Sequence, residues 1–165
     1  MKTLVVYYSW GNNTKTVAEY IAEKTGADIL ELKVKDNYPE NYNACVAKVG
    51  KLGKKNEPEL TTEIPDLSQY EAYFVGSPCW WGTIANPLRT FLHQNDLTGK
   101  TIFPFMTHGT SGMNIQDIPK LCPDSKIMRG LSIYNQYQVS TNINTPDNME
   151  DYQRKTDEWL AGLGF

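Results

Sequence analysis

The residues able to do chemistry in this sequence gather in three short stretches. The first is Ser9-Trp10-Gly11-Asn12-Asn13-Thr14-Lys15, followed by Thr16, where hydroxyl and amide side chains stand directly before an amphipathic run. A helix opening there has unpaired backbone N–H groups and a partial positive charge at its start. The hydroxyls of Ser9, Thr14 and Thr16 add donors, so the stretch can surround a phosphate dianion without an arginine. Helix capping by Asn12, Asn13 and Thr14 is the plainer role open to the same residues. The second stretch, Ser77-Pro78-Cys79-Trp80-Trp81-Gly82-Thr83, sets two adjacent indoles at a loop tip. Such rings either grip something flat or pack beneath a neighbouring helix. The third, Thr107-His108-Gly109-Thr110-Ser111-Gly112, holds two glycines that let backbone approach a ligand and offer N–H groups to its carbonyl oxygens. His108 reads as a base or as a hydrogen-bonding loop residue.

Sharper motifs do not survive inspection. Gly99-Lys100-Thr101 looks like the end of a nucleotide-binding P-loop, but Gln94 stands where the earlier glycine is required and the segment enters a strand. Cys79 lacks an anion-gripping arginine six residues on, where Ala85 stands, so it reads as a small loop residue rather than a thiol nucleophile. The two histidines, His93 and His108, are fifteen residues apart and do not make a zinc helix, and no metal site is expected. Lys48, Lys51, Lys54 and Lys55 form a basic stripe, either a solvated helix face or a docking patch for an acidic partner.

The elements that must position these stretches follow from the apolar pattern. Unbroken runs at Leu4–Tyr8, Ala72–Gly76 and Thr101–Met106 predict strands covered on both faces, joined by strands at Asp28–Lys33 and Lys126–Ile133. Helices are expected over Asn13–Thr25, Tyr42–Lys54, Asn86–Asn95, Gly112–Leu121 and Pro146–Leu160, with loops over Glu57–Gln69 and Ser132–Pro146. The loop at 132–146 either extends the fifth strand or forms a flap. This alternation predicts a doubly wound α/β sandwich with a parallel sheet, whose ligands bind beyond the carboxyl ends of the strands. Each of the three stretches falls at such an end.

A length of 165 residues with 40% hydrophobic content fits one domain spanning 1–165 with one core. A formal charge of −3 argues against a nucleic acid partner. No apolar run reaches the ~18–20 residues of a spanning helix and no signal peptide is evident, so a cytoplasmic protein without a membrane partner is expected. Cys45, Cys79 and Cys122 are too few and too scattered for a disulfide framework.

Together these residues resemble the flavodoxin family, and especially its small bacterial branch with a double-tryptophan second loop, over essentially the whole chain. The hydroxyl residue, two spacers and Gly-Asn-Thr of its phosphate signature correspond to Ser9 through Thr14, with Asn12 standing where the family usually has glycine. The resemblance implies a five-stranded sheet of order 2-1-3-4-5 and FMN as cofactor. Its phosphate would lie against Ser9, Gly11, Asn12, Asn13 and Thr14, with Trp10 also among the cofactor-binding residues. Its ring would lie between Pro78, Cys79, Trp80, Trp81 and Gly82 on one side and Thr107, His108, Gly109, Ser111 and Gly112 on the other. No catalytic residue is implied. The resemblance points to a soluble electron carrier, monomeric or weakly dimeric, exchanging electrons with a reductase donor and an acceptor protein. Two departures, a third loop without tyrosine and a muted acidic charge, keep open an FMN-dependent oxidoreductase acting on NAD(P)H and a quinone or flavin. A cofactor-free binding module on the same fold is the third reading.

Overall fold

Leu4, Val6 and Tyr8 belong to one buried cluster and Val5 and Tyr7 to another, so the first strand is covered on both faces. The computed structural model describes residues 1–135 and 149–165. Its strands are β1 (Thr3–Tyr7), β2 (Asp28–Glu31), β3 (Ala72–Trp80), β4 (Thr83–Ile84), β5 (Thr101–His108), β6 (Lys126–Ile127) and β7 (Leu131–Tyr134). Its helices are α1 (Asn13–Thr25), α2 (Tyr42–Leu52), α3 (Asn86–Gln94), α4 (Asp117–Leu121) and α5 (Tyr152–Leu163).

The sheet runs β2-β1-β3-β5-β6, with β7 also on β5, and all of these pairs are parallel. This is the expected 2-1-3-4-5 order of a flavodoxin-like α/β fold, with two differences. The fifth strand is split: Pro104 of β5 has no N–H to give it, one extra residue separates the Ile102–Ile127 and Phe105–Leu131 pairings, and in that gap the Arg129 carbonyl accepts the indole N–H of Trp159 at 2.8 Å. In addition, β4 folds back antiparallel on the end of β3. One face of the sheet is covered by Val17, Ala18 and Ile21 of α1 and by Trp159 and Leu160 of α5. The other is covered by Cys45 and Val49 of α2, Leu88, Phe91 and Leu92 of α3, and Ile118 of α4.

Several boundaries depart from the sequence expectation. β3 and β5 continue past Gly76 and Met106 to Trp80 and His108. The helix expected from Gly112 contains only Asp117–Leu121, because Gly112 takes φ 77 and the Asn114 side chain accepts the Gln116 N–H in a local turn. α5 begins at Tyr152, where the Asp151 carboxylate accepts the Arg154 N–H. The expected start at Pro146, and the 136–146 part of the expected loop or flap, lie outside the described residues. No helix among the described residues is long and apolar enough to cross a membrane.

Candidate functional site

After β1 the chain turns through Gly11 (φ 76) and Asn12 (φ 70) before α1 opens at Asn13. Asparagine is one of the few L-residues that tolerate this left-handed region, which lets it stand in for glycine. The turn spends some of the expected donors on itself. The Asn12 carbonyl accepts both the backbone N–H and the hydroxyl of Thr16, so that hydroxyl faces back along the helix rather than towards a ligand. Ser9 Oγ accepts the Lys15 N–H at 3.1 Å, acting as a helix cap while keeping its own proton to donate. Thr14 is buried, and its hydroxyl lies 2.8 Å from that of Thr107, tying the first loop to the end of β5.

The two tryptophans do not share a loop tip. Trp80 closes β3 half-buried, edge-on to Tyr38 at 4.8 Å and to Tyr8 at 5.3 Å. Trp81 and Gly82 form the two-residue turn between β3 and β4 with φ 51 and 77, the positive values that tight hairpins of the I′ kind require. A left-handed tryptophan is strained by about 1–2 kcal/mol. Two contacts hold it there: its indole N–H donates to the Val46 carbonyl of α2 at 3.1 Å, and its ring packs over Gly50. At the base of the hairpin, Ser77 Oγ accepts the Ala85 N–H at 2.7 Å. Thr83 donates its hydroxyl to Asp117, which also pairs with the buried Arg89. The Thr83 hydroxyl first, and then the Arg89 guanidinium, hold the Asp117 carboxyl below the usual aspartate value against the opposing effect of burial.

In the third loop, His108 Nδ1 lies 2.7 Å from the Gly109 carbonyl and Nε2 lies 2.5 Å from Ser132 Oγ. A carbonyl only accepts, so Nδ1 carries a proton and donates to it, while Nε2 and the Ser132 hydroxyl form a second hydrogen bond. The Ser111 hydroxyl reaches towards the Cys79 sulfur at 3.7 Å, linking the second and third loops.

These loops meet around one pocket of about 370 Å³. Trp10 and Asn13 come from the first loop, Pro78 to Gly82 from the second, and Thr107 to Ser111 from the third. Of the residues expected at the site, Ser9, Gly11, Asn12, Thr14 and Gly112 stand outside its walls. Ser9, Gly11, Asn12 and Thr14 shape the first turn through the left-handed pair, the Ser9 cap and the Thr14–Thr107 contact, and Gly112 takes a positive φ of 77. The fourth wall was not foreseen: Tyr42, Cys45, Val46 and Val49 of α2 close the side towards Trp81. Their i, i+3, i+4 and i+7 spacing was readable as one helix face, but which loop that face meets depends on tertiary placement. Burial pushes the Cys45 thiol up to about 11, so it stays protonated near neutrality. Thr110 and Asn135 complete the rim.

Comparison with known proteins agrees with this architecture. A Bacteroides uniformis protein of known structure superposes with a TM-score of 0.76 at 23% identity, covering 97% of both chains. A flavoprotein from Lactobacillus acidophilus, solved in complex with FMN, gives 0.66 at 25% identity over 79% of this chain and 91% of its own. Oxidised flavodoxin 2 from Bacillus cereus gives 0.57 at 17% identity over 98% and 96%. The flavodoxin family model matches residues 2–149, and with its sheet order and strand-end loops this chain belongs to the flavodoxin family.

Proposed function

We propose that the pocket binds FMN and that the protein works as a soluble electron carrier. The observation that carries this reading is the convergence of three strand-end loops on one pocket, with the start of α1 at one wall and indoles at another. FMN has a dianionic phosphate, a polar ribityl chain and a flat tricycle, and each has a counterpart here. The first turn of α1 holds no acidic residue, so its N-terminal charge is not cancelled where an anion would sit. The pocket volume lies in the usual range for small-molecule sites, roughly 300–1,000 Å³. The similar Lactobacillus acidophilus protein was solved with FMN, which supports the same ligand.

When bound, FMN supplies reversible uptake of electrons. The chain supplies the surroundings. Trp80, fixed edge-on between Tyr8 and Tyr38, offers an immobile apolar wall. His108 is held by Gly109 and Ser132, so its ring keeps one orientation beside the pocket. Among the described residues, no carboxylate lines the walls. These fixed groups bind and orient a ligand.

Titrating FMN into the purified protein tests the reading through quenching of flavin fluorescence. Saturable binding of one FMN per chain is expected, and unquenched fluorescence at excess protein overturns it. Stepwise reduction of the complex, followed by absorbance, then tests the carrier role. Steady oxidation of NADH or NADPH by the protein alone, with a quinone present, would instead mark it as an enzyme.

A further inference from the structure

The basic stripe of α2 is not a uniform solvated face. Lys48 is spent internally: it pairs with Asp36 at 3.1 Å, donates to the Asn37 carbonyl at 3.0 Å and lies over the Tyr38 ring. Lys51, Lys54 and Lys55 are exposed and pair with no carboxylate among the described residues. Residues 41–56 contain four lysines and no Asp or Glu, in a chain of formal net charge −3. The flanking Glu57, the nearest acidic residue that follows, is engaged with the His93 ring at 2.8 Å. A positive field therefore stands at the C-terminal end of α2 against an acidic background.

This charge is held rigidly beside the pocket. The buried Asn86 side chain donates to the carbonyls of Gly53 and Asn56, both at 2.9 Å, pinning the turn that carries Lys54 and Lys55 to the start of α3. The Trp81 indole lies across Gly50 of the same helix, hydrogen-bonded to Val46, and is itself half-exposed. Val46 and Leu52 add further exposed apolar surface. An aromatic anchor with apolar neighbours and a charged rim is the make-up of a protein-binding patch.

We propose that Trp81 and the C-terminal end of α2 form a docking surface for an acidic redox protein, whose carboxylates meet Lys51, Lys54 and Lys55 while an apolar side chain packs on Trp81. The assignment rests on the electron-carrier reading, because Trp81 also lines the pocket and a partner seated there lies next to the cofactor. Charge complementarity fixes the class of partner, and long-range attraction would raise its association rate.

The test uses two probe proteins of opposite surface charge, acidic cytochrome b5 and basic cytochrome c, added to the isotope-labelled full chain with and without FMN. Binding is read from amide and indole N–H resonances, independently of electron transfer. Cytochrome b5 is expected to shift the Gly50–Lys55 amides and the Trp81 indole. The affinity should fall at least about tenfold from roughly 0.02 to 0.2 M salt, as screening shortens the reach of the charges. The variant K51E/K54E/K55E should lose at least about tenfold in affinity for cytochrome b5 while keeping its FMN affinity, and the neutral variant K51Q/K54Q/K55Q should fall between. Shifts that map elsewhere, an unchanged affinity in the charge-reversed variant, or preference for cytochrome c would overturn the proposal. So would displacement of these resonances by NADPH and not by cytochrome b5, which would make the patch a nucleotide-phosphate site. Failure of FMN to bind the wild type is a separate result: it overturns the cofactor reading while the resonance map still reports on the surface.

Discussion

The Trp81 ring occupies the space that a side chain at position 50 would need: a Cβ added to Gly50 would stand 2.6 Å from Cζ2 of the indole. Gly50 lies inside α2, where alanine is favoured over glycine by about 1 kcal/mol. Gly50→Ala should therefore leave stability within about 1 kcal/mol of wild type while displacing the half-exposed indole from the Val46 carbonyl. Urea unfolding checks the first expectation. A red shift of the Trp81 emission, identified by its loss in Trp81→Phe, checks the second.

Trp80 and Trp81 should separate by stability. Trp80 packs edge-on against Tyr8 and Tyr38, so Trp80→Ala should cost about 2–4 kcal/mol, towards the low side of large-to-small core losses because the ring is only half-buried. Trp81→Ala keeps its Cβ and so the strain at φ 51, and loses one exposed hydrogen bond and the ring contact over Gly50; it should cost about 0.5–1.5 kcal/mol, less than Trp80→Ala. Thermal unfolding of the two variants side by side checks the order.

The Thr14 and Thr107 hydroxyls are partners in the buried state. Either single valine substitution strands the other hydroxyl and should destabilise the FMN-free protein by about 1–3 kcal/mol, whereas Thr14→Val/Thr107→Val should recover part of that loss. A double-mutant cycle from urea midpoints measures the coupling. A Thr14→Val variant as stable as wild type would contradict the pairing.

Asp117 predicts an acid limb. Its folded-state value lies below the unfolded one, so its contribution is complete above the ordinary aspartate value of about 4 and is lost as pH falls through the depressed native value. Asp117→Asn should cost about 2–3 kcal/mol at neutral pH by leaving buried Arg89 without its charge partner. The same substitution should flatten the decline in stability between pH 4 and 2, measured by thermal unfolding across that range.

The sequence carried the frame of the molecule more fully than the contents of the site. Runs such as Leu4–Tyr8 and Thr101–Met106 marked buried strands because both faces of a parallel strand are apolar, and Gly26 and Pro87 marked helix boundaries through backbone geometry. The three strand-end loops were legible for the same reason. Side-chain partners were not. Thr16 looked like a ligand donor until the left-handed turn at Asn12 placed a carbonyl within its reach. Cys45 and Val46 gave no sign that they would face the Trp81 hairpin, since that meeting joins segments 35 residues apart. The short reach of α4 was hidden because the Asn114 turn competes locally with helix.

The split of the fifth strand bears on how copies of this protein behave at high concentration. Among the described residues, the margins of the sheet are the four-residue β2, which begins and ends in a carboxylate, and the interrupted pair β6 and β7. Neither offers a long flat template for a foreign strand. Pro104 of β5, which has no N–H to give the ladder, and the extra residue between the Ile102–Ile127 and Phe105–Leu131 pairings keep that margin broken, one built-in guard against fibrillar self-assembly.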